Sequence, residues 1–124
     1  TSRRSNDTAD ALIAEIDVPA EIFKWVDEGE NPSLGFLGMA DGVIVTGDSV
    51  SMCCEAAATP GPVWIYAPRK LTSHKHGQLH KGIFASGAAR LFDATTPPSF
   101  ETWSHAPLNA ADDIAAEIRT RLGL

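Results

Sequence analysis

Cysteine is nearly absent: the chain has 2, and they are neighbours, Cys53 and Cys54. Adjacent helical residues do not reach disulfide geometry, and two thiols alone do not complete a metal site. Both are read as reduced core residues, which fits a cytoplasmic compartment. Long apolar runs are lacking as well, with none near the roughly 20 residues that span a bilayer. Basic charge is in deficit. Lys and Arg number 10 against 16 Asp and Glu, a net charge of -6 that argues against nucleic acid as a partner of the whole domain. No Gly-x-Ser-x-Gly turn occurs, so the chain lacks the strained nucleophile turn of α/β-hydrolases.

With 124 residues, the chain is long enough for one ordinary hydrophobic core and reads as a single domain, 1–124. Its 44% hydrophobic content and 21% charged content are those of an ordered globular protein. Charge is unevenly placed. From Ala56 to Phe92 there is no Asp or Glu, while Arg69, Lys70, Lys75, Lys81 and Arg90 all fall there. Such a stretch is either an anion-binding face or a solvated helix surface.

Strands and helices alternate along the sequence. Ala9, Leu12, Ile13 and Ile16 recur at helical spacing, predicting a helix from Thr8 to Ile16 that Pro19 ends. Glu21 to Val26 reads as a short strand, followed by a polar loop through Pro32. Ser33 to Met39 is a short helix. Gly42 to Thr46 is a continuously apolar strand suited to burial on both faces of a parallel sheet. Ser49 to Ala58 is helical until Pro60-Gly61-Pro62, and Val63 to Tyr66 is the next strand. A helix over Lys75 to Ala88, a brief strand at Leu91-Phe92, a loop over Thr95 to Trp103 and a last helix capped by Asn109 complete the chain. This alternation implies βαβ units, a parallel sheet and a Rossmann-like three-layer αβα sandwich.

The chain opens on Thr1-Ser2-Arg3-Arg4-Ser5, which reads as the tail of a strand-to-helix turn. The expectation is a fragment that begins one strand late, leaving a sheet edge through which a second copy can pair as a homodimer.

Chemistry concentrates at Val45-Thr46-Gly47-Asp48-Ser49-Val50-Ser51-Met52, followed by Glu55. The strand breaks at Thr46-Gly47 into a helix capped by Asp48 or Ser49. A helix start presents unpaired N–H groups and positive dipole, a natural seat for phosphate. Hydroxyls on that first turn and a glutamate further along suit the phosphates and ribose of a nucleotide. The same residues also suit a plain capped helix, and the Asp48 carboxylate would repel phosphate unless turned away. His74, His76 and His80 form His-x-His-x-x-x-His, yet no carboxylate lies close in sequence, so no metal site is expected. Lys75 and His80 are read first as a solvated helix face. Trp64, on an apolar strand, is read as core.

From Glu28 to Tyr66 the chain resembles the mitochondrial-fission (elongated mitochondria, ELM) family, through Gly29-Glu30-Asn31-Pro32, Leu34-Gly35, Ala40-Asp41, Val45 to Met52 and Glu55 to Thr59. Ser2-Arg3-Arg4 resembles that family's Ser-Arg-Arg turn, and Ser73, Lys75, His80, Leu91-Phe92 and Trp103 follow more loosely. Bacterial members carry the label nucleoside-diphosphate-sugar epimerase, and the family is similar to GT-B glycosyltransferases and UDP-sugar 2-epimerases. The resemblance implies the C-terminal half of a GT-B-type fold, with an N-terminal domain of the same protein as its partner across a cleft. It implies a nucleoside diphosphate sugar as ligand, with no separate cofactor. Gly47, Asp48, Ser49 and Ser51 would form the phosphate turn, Glu55 would accept from ribose, and Arg3, Arg4 and Lys75 would neutralise phosphate charge. Relatives carry Lys-Phe-Arg-Arg-Phe-His where this chain has Lys75-His76-Gly77-Gln78-Leu79-His80, so two arginines are missing. Glycosyltransferase or epimerase activity is implied only for a protein with both halves, and this chain alone is expected to be inactive. The contrasting expectation is an adaptor in mitochondrial division that keeps the fold without catalysis, peripheral to a membrane.

Overall fold

A computed structural model describes residues 6–96, 98 and 103–124, in two units that divide between Phe36 and Leu37. The first unit holds α1 (Asn6–Ala14), whose Ala9 is buried. The helix stops two residues short of the expected Ile16. The predicted strand at Glu21 to Val26 does not form. Its backbone is used locally instead: the Asp27 amide donates to the Lys24 carbonyl at 3.0 Å, and the Lys24 amide donates to Asp27 Oδ2 at 2.6 Å. This turn satisfies polar groups that a strand would need a neighbour to pair. Lys24 Nζ also meets Asp10 Oδ1 at 2.6 Å. α2 (Ser33–Met39) follows, its first amide taken by the Asn31 side chain at 3.0 Å.

The second unit, Leu37–Leu124, is built on a parallel sheet in the order β1 (Val43–Thr46), β2 (Val63–Tyr66) and β3 (Arg90–Leu91). Val43 pairs with Val63 and Val45 with Ile65, so these apolar side chains share one face. Against that face pack α3 (Val50–Ala57), through Cys53, Ala56 and Ala57, and α4 (His74–Ala85), through Ile83. Ala88 and Ala89 complete the core. Small residues at these contacts let the helices approach the sheet closely, and β-branched residues cover the strands. Here the α/β, Rossmann-like architecture expected from the alternation of elements is observed.

The opposite face differs from expectation at β1. Ile44 is 52% exposed, so this strand is not buried on both faces among the described residues. Its β2 neighbour Trp64 is buried, with Trp103 edge-on at 6.1 Å and the Arg90 guanidinium 4.5 Å above the Trp103 ring. The two cysteines also part company. Cys53 is fully buried and Cys54 is exposed, because successive helix positions point about 100° apart.

Helix ends follow local chemistry. α4 stops three residues before the expected Ala88, at a glycine cap: Gly87 has φ 78°, and the amides of Gly87 and Ala88 donate to Phe84 and Ile83 at 3.1 and 3.2 Å. α5 (Ala110–Leu122) is capped by Asn109, with Asp112 and Asp113 in its first turn and Arg119 and Arg121 in its last, the order that suits the helix dipole. The segment before it is tied down by the Leu108 amide on the Ala57 carbonyl at 3.0 Å, and by His105 Nε2 at 3.1 Å from the Gly61 carbonyl. Among the described residues no helix is long and apolar enough to cross a membrane.

Candidate functional site

The turn between β1 and α3 leaves the C-terminal end of β1, the side on which open parallel sheets take ligands. Gly47 extends the ladder by donating its amide to the Tyr66 carbonyl at 2.8 Å. It must be glycine for lack of space. A Cβ there would stand 2.7 Å from His80 Cε1 and 3.0 Å from the Ala67 Cβ. Asp48 follows, half-buried, and then Ser49 as N-cap of α3 in extended conformation (φ -124°, ψ 114°).

Ser49 Oγ accepts from the Met52 amide at 3.5 Å and stands 3.5 Å from Ser51 Oγ, while the Ser49 carbonyl takes the Cys53 amide at 3.1 Å. The amides of Val50 and Ser51, at the first two helical positions, have no intrahelical acceptor. Ser51 and Glu55 are both exposed and four residues apart, so they lie one above the other on one helix face. The structure thus brings Gly47, Asp48, Ser49, Ser51 and Glu55 onto a single turn and the helix it starts. Lys75 is exposed in the first turn of α4. Arg3 and Arg4 lie outside the described residues.

Beneath the turn is a residue that the helical pattern had placed in solvent. His80 is only 4% exposed. Its Nε2 is 3.9 Å from Cys53 Sγ, and that thiol in turn donates to the Thr46 carbonyl at 3.8 Å. The His80 ring stacks on His76 at 6.5 Å and tilts against Phe84 at 6.2 Å. Burial holds the imidazole below its ordinary pKa, a backbone hydrogen bond with Gly47 opposes this, and the charge of His76 adds to the lowering. Burial likewise pushes the Cys53 thiol up to about 11, helped by Cys54 and Asp48, which makes it a poor nucleophile. His76 itself is engaged in capping α4, its Nδ1 accepting from the Ser73 amide at 3.2 Å. A signal for His80 was available: Ile83 and Phe84 follow it at helical spacing and mark the same apolar face.

A groove of about 730 Å³ lies at the other end of the strands, bordered by Asp41, Pro60, Gly61, Pro62, Trp103 and Ser104.

Parallel strands joined by helices, with a capped helix leaving the C-terminal end of β1, define a Rossmann-like α/β domain. Sequence comparison narrows the class: the chain belongs to the mitochondrial fission ELM1 family, whose profile matches residues 1–122. It is 31% identical over 111 residues to the Arabidopsis thaliana protein named mitochondrial fission protein ELM1, a match covering 90% of this chain and 26% of that protein. It is 35% identical over 92 residues to the uncharacterized protein RP120 of Rickettsia prowazekii, covering 74% of this chain and 26% of the relative. The chain therefore spans about a quarter of the length of these two relatives. No solved structure matches it.

Proposed function

We propose that this chain is the nucleoside-diphosphate-sugar-binding part of a GT-B-type, glycosyltransferase-like protein. One observation carries the reading: the Ser49-capped start of α3 stands at the C-terminal end of β1, with Ser51 and Glu55 in line along the helix. In this reading the Val50 and Ser51 amides and the Ser51 hydroxyl hold a phosphate, with the positive end of the α3 dipole behind them. Glu55, one turn on, accepts from the ribose hydroxyls. Lys75 adds positive charge for the diphosphate. Donors fixed in this way stabilise a departing diphosphate without reorganising, which is how such a site would assist glycosyl transfer. Acceptor and catalytic base would come from the remainder of the full-length protein.

An interaction domain is the second reading. It is favoured by α5, whose Ile114, Ile118 and Leu122 share one stripe and are 60%, 49% and 67% exposed.

Calorimetric titration with UDP, ADP, GDP and CMP, beside a Glu55→Ala variant, separates the two. Saturable binding of one nucleotide that weakens in the variant is the expected result. Silence from all four, for the full-length protein as well as this chain, would sink the donor-site reading and leave the interaction domain ahead.

A further inference from the structure

We propose that His80 is the positioning residue of the β1–α3 turn: its ring fills the space beneath Gly47 and fixes the backbone from Gly47 to Ser49. What the turn holds rests on the nucleotide reading; the mechanical role of the ring does not.

The argument is geometric. Thr46, Gly47, His80 and Cys53 form a closed set joining the end of β1, α3 and α4. Cys53 Sγ donates to the Thr46 carbonyl at 3.8 Å and meets His80 Nε2 at 3.9 Å, and the ring packs so closely on Gly47 that a Cβ there would stand 2.7 Å from Cε1. Gly47 has room for nothing larger than hydrogen on the side where the ring sits. On the α4 side Phe84 and His76 hold the ring in place. With 4% exposure the imidazole has almost no freedom to move without carrying the turn along.

The surroundings also set which form of the ring fits. Of the titratable or charged groups, His76 on α4 and Cys53 on α3 meet the ring directly, while Cys54 on α3 and Asp48 on the turn act on Cys53. Cys53 stays a neutral thiol at any ordinary pH, so it does not balance an imidazolium. A second proton on His80 therefore places a charge in a packed site beneath Gly47, and the accommodating element is the turn.

Nuclear magnetic resonance tests this on the 124-residue chain. The His80 ring and the amides of Gly47, Asp48 and Ser49 are followed between pH 7.5 and 4.5. We expect the three amides to move with the midpoint of the ring while the Val63 and Ile65 amides in the core stay still. Turn amides that remain still while the His80 ring titrates would overturn the proposal. A second readout uses UDP as the probe at pH 7.5. His80→Ala weakens binding by about tenfold, by analogy with the low end of what losing an outer-shell partner costs a metal-ligand site. His80→Gln, which restores a polar group near Gly47, recovers part of that loss. Equal affinity in wild type and His80→Ala would count against the role. If the amides follow the ring but UDP binds neither protein, the nucleotide reading fails and the positioning role stands.

Discussion

Two glycine-to-alanine substitutions in this chain should move stability in opposite directions. At Gly47 a methyl group would sit 2.7 Å from His80 Cε1 and 3.0 Å from the Ala67 Cβ. The His80 ring is no flexible tip that swings aside, since Phe84, His76 and Cys53 surround it. Overpacking of this kind costs about 1–3 kcal/mol, while the stiffer unfolded chain returns about 0.4–1 kcal/mol. The net expectation for Gly47→Ala is a loss of about 1–2 kcal/mol, a fall in Tm of roughly 5 °C for a chain of this size. Gly77 lies inside α4, where an added Cβ meets nothing within 4 Å. Gly77→Ala should therefore gain about 0.5–1 kcal/mol from helix propensity alone. Urea and thermal unfolding by circular dichroism read both. Gly47→Ala melting at or above wild type would refute the steric account of the turn. It would mean that His80 yields freely, and the positioning argument would weaken with it.

Three further outcomes follow from the same contacts. A thiol-reactive chromogen should label one cysteine per native chain, Cys54, and a second only after denaturation, because Cys53 is buried with its pKa near 11; two fast native thiols would contradict the packing of α3. The folded-state pKa of His80 lies below its ordinary 6.5, so the unfolded chain binds the extra proton first. Stability is then complete above about 6.5 and declines as pH falls from there through the lowered value; the urea midpoint should fall between pH 7.5 and 5.5, and His80→Gln should flatten that profile. Asn109→Ala removes the side chain that accepts from the Asp112 amide at 3.2 Å and should cost α5 about 1 kcal/mol. Faster amide exchange confined to that helix would show it.

Legibility in the sequence tracked how local the deciding physics was. Val63-Trp64-Ile65-Tyr66 and the α5 cap at Asn109 could be read directly, because an apolar β-branched run and an Asn before a helical stripe each point one way. Glu21 to Val26 misled because Ile22, Phe23, Trp25 and Val26 are strand-favouring residues, while the Lys24–Asp27 turn captures the backbone first. Ile44 carries the same apolar signal as Val45, and only the packed sheet shows that one is exposed and the other buried. At the candidate site, Gly47 through Glu55 were visible as a strand–turn–helix. The support beneath them was legible only in part: the spacing of Ile83 and Phe84 marks the apolar face that His80 shares, but its contact with Gly47 spans a separation that no local pattern records. Lys75 and His80 sit on one helix, yet one is exposed and the other buried.

The aromatic stack on the open face of the sheet supplies an intrinsic optical probe. Trp64 is buried edge-on to Trp103, with Arg90 over the Trp103 ring. Lifting Trp103 from the sheet would bring both indoles into contact with water and red-shift their emission, whereas a change at the β1–α3 turn leaves them undisturbed. With Trp25 replaced by Phe, the emission maximum becomes a label-free gauge of whether that face is covered.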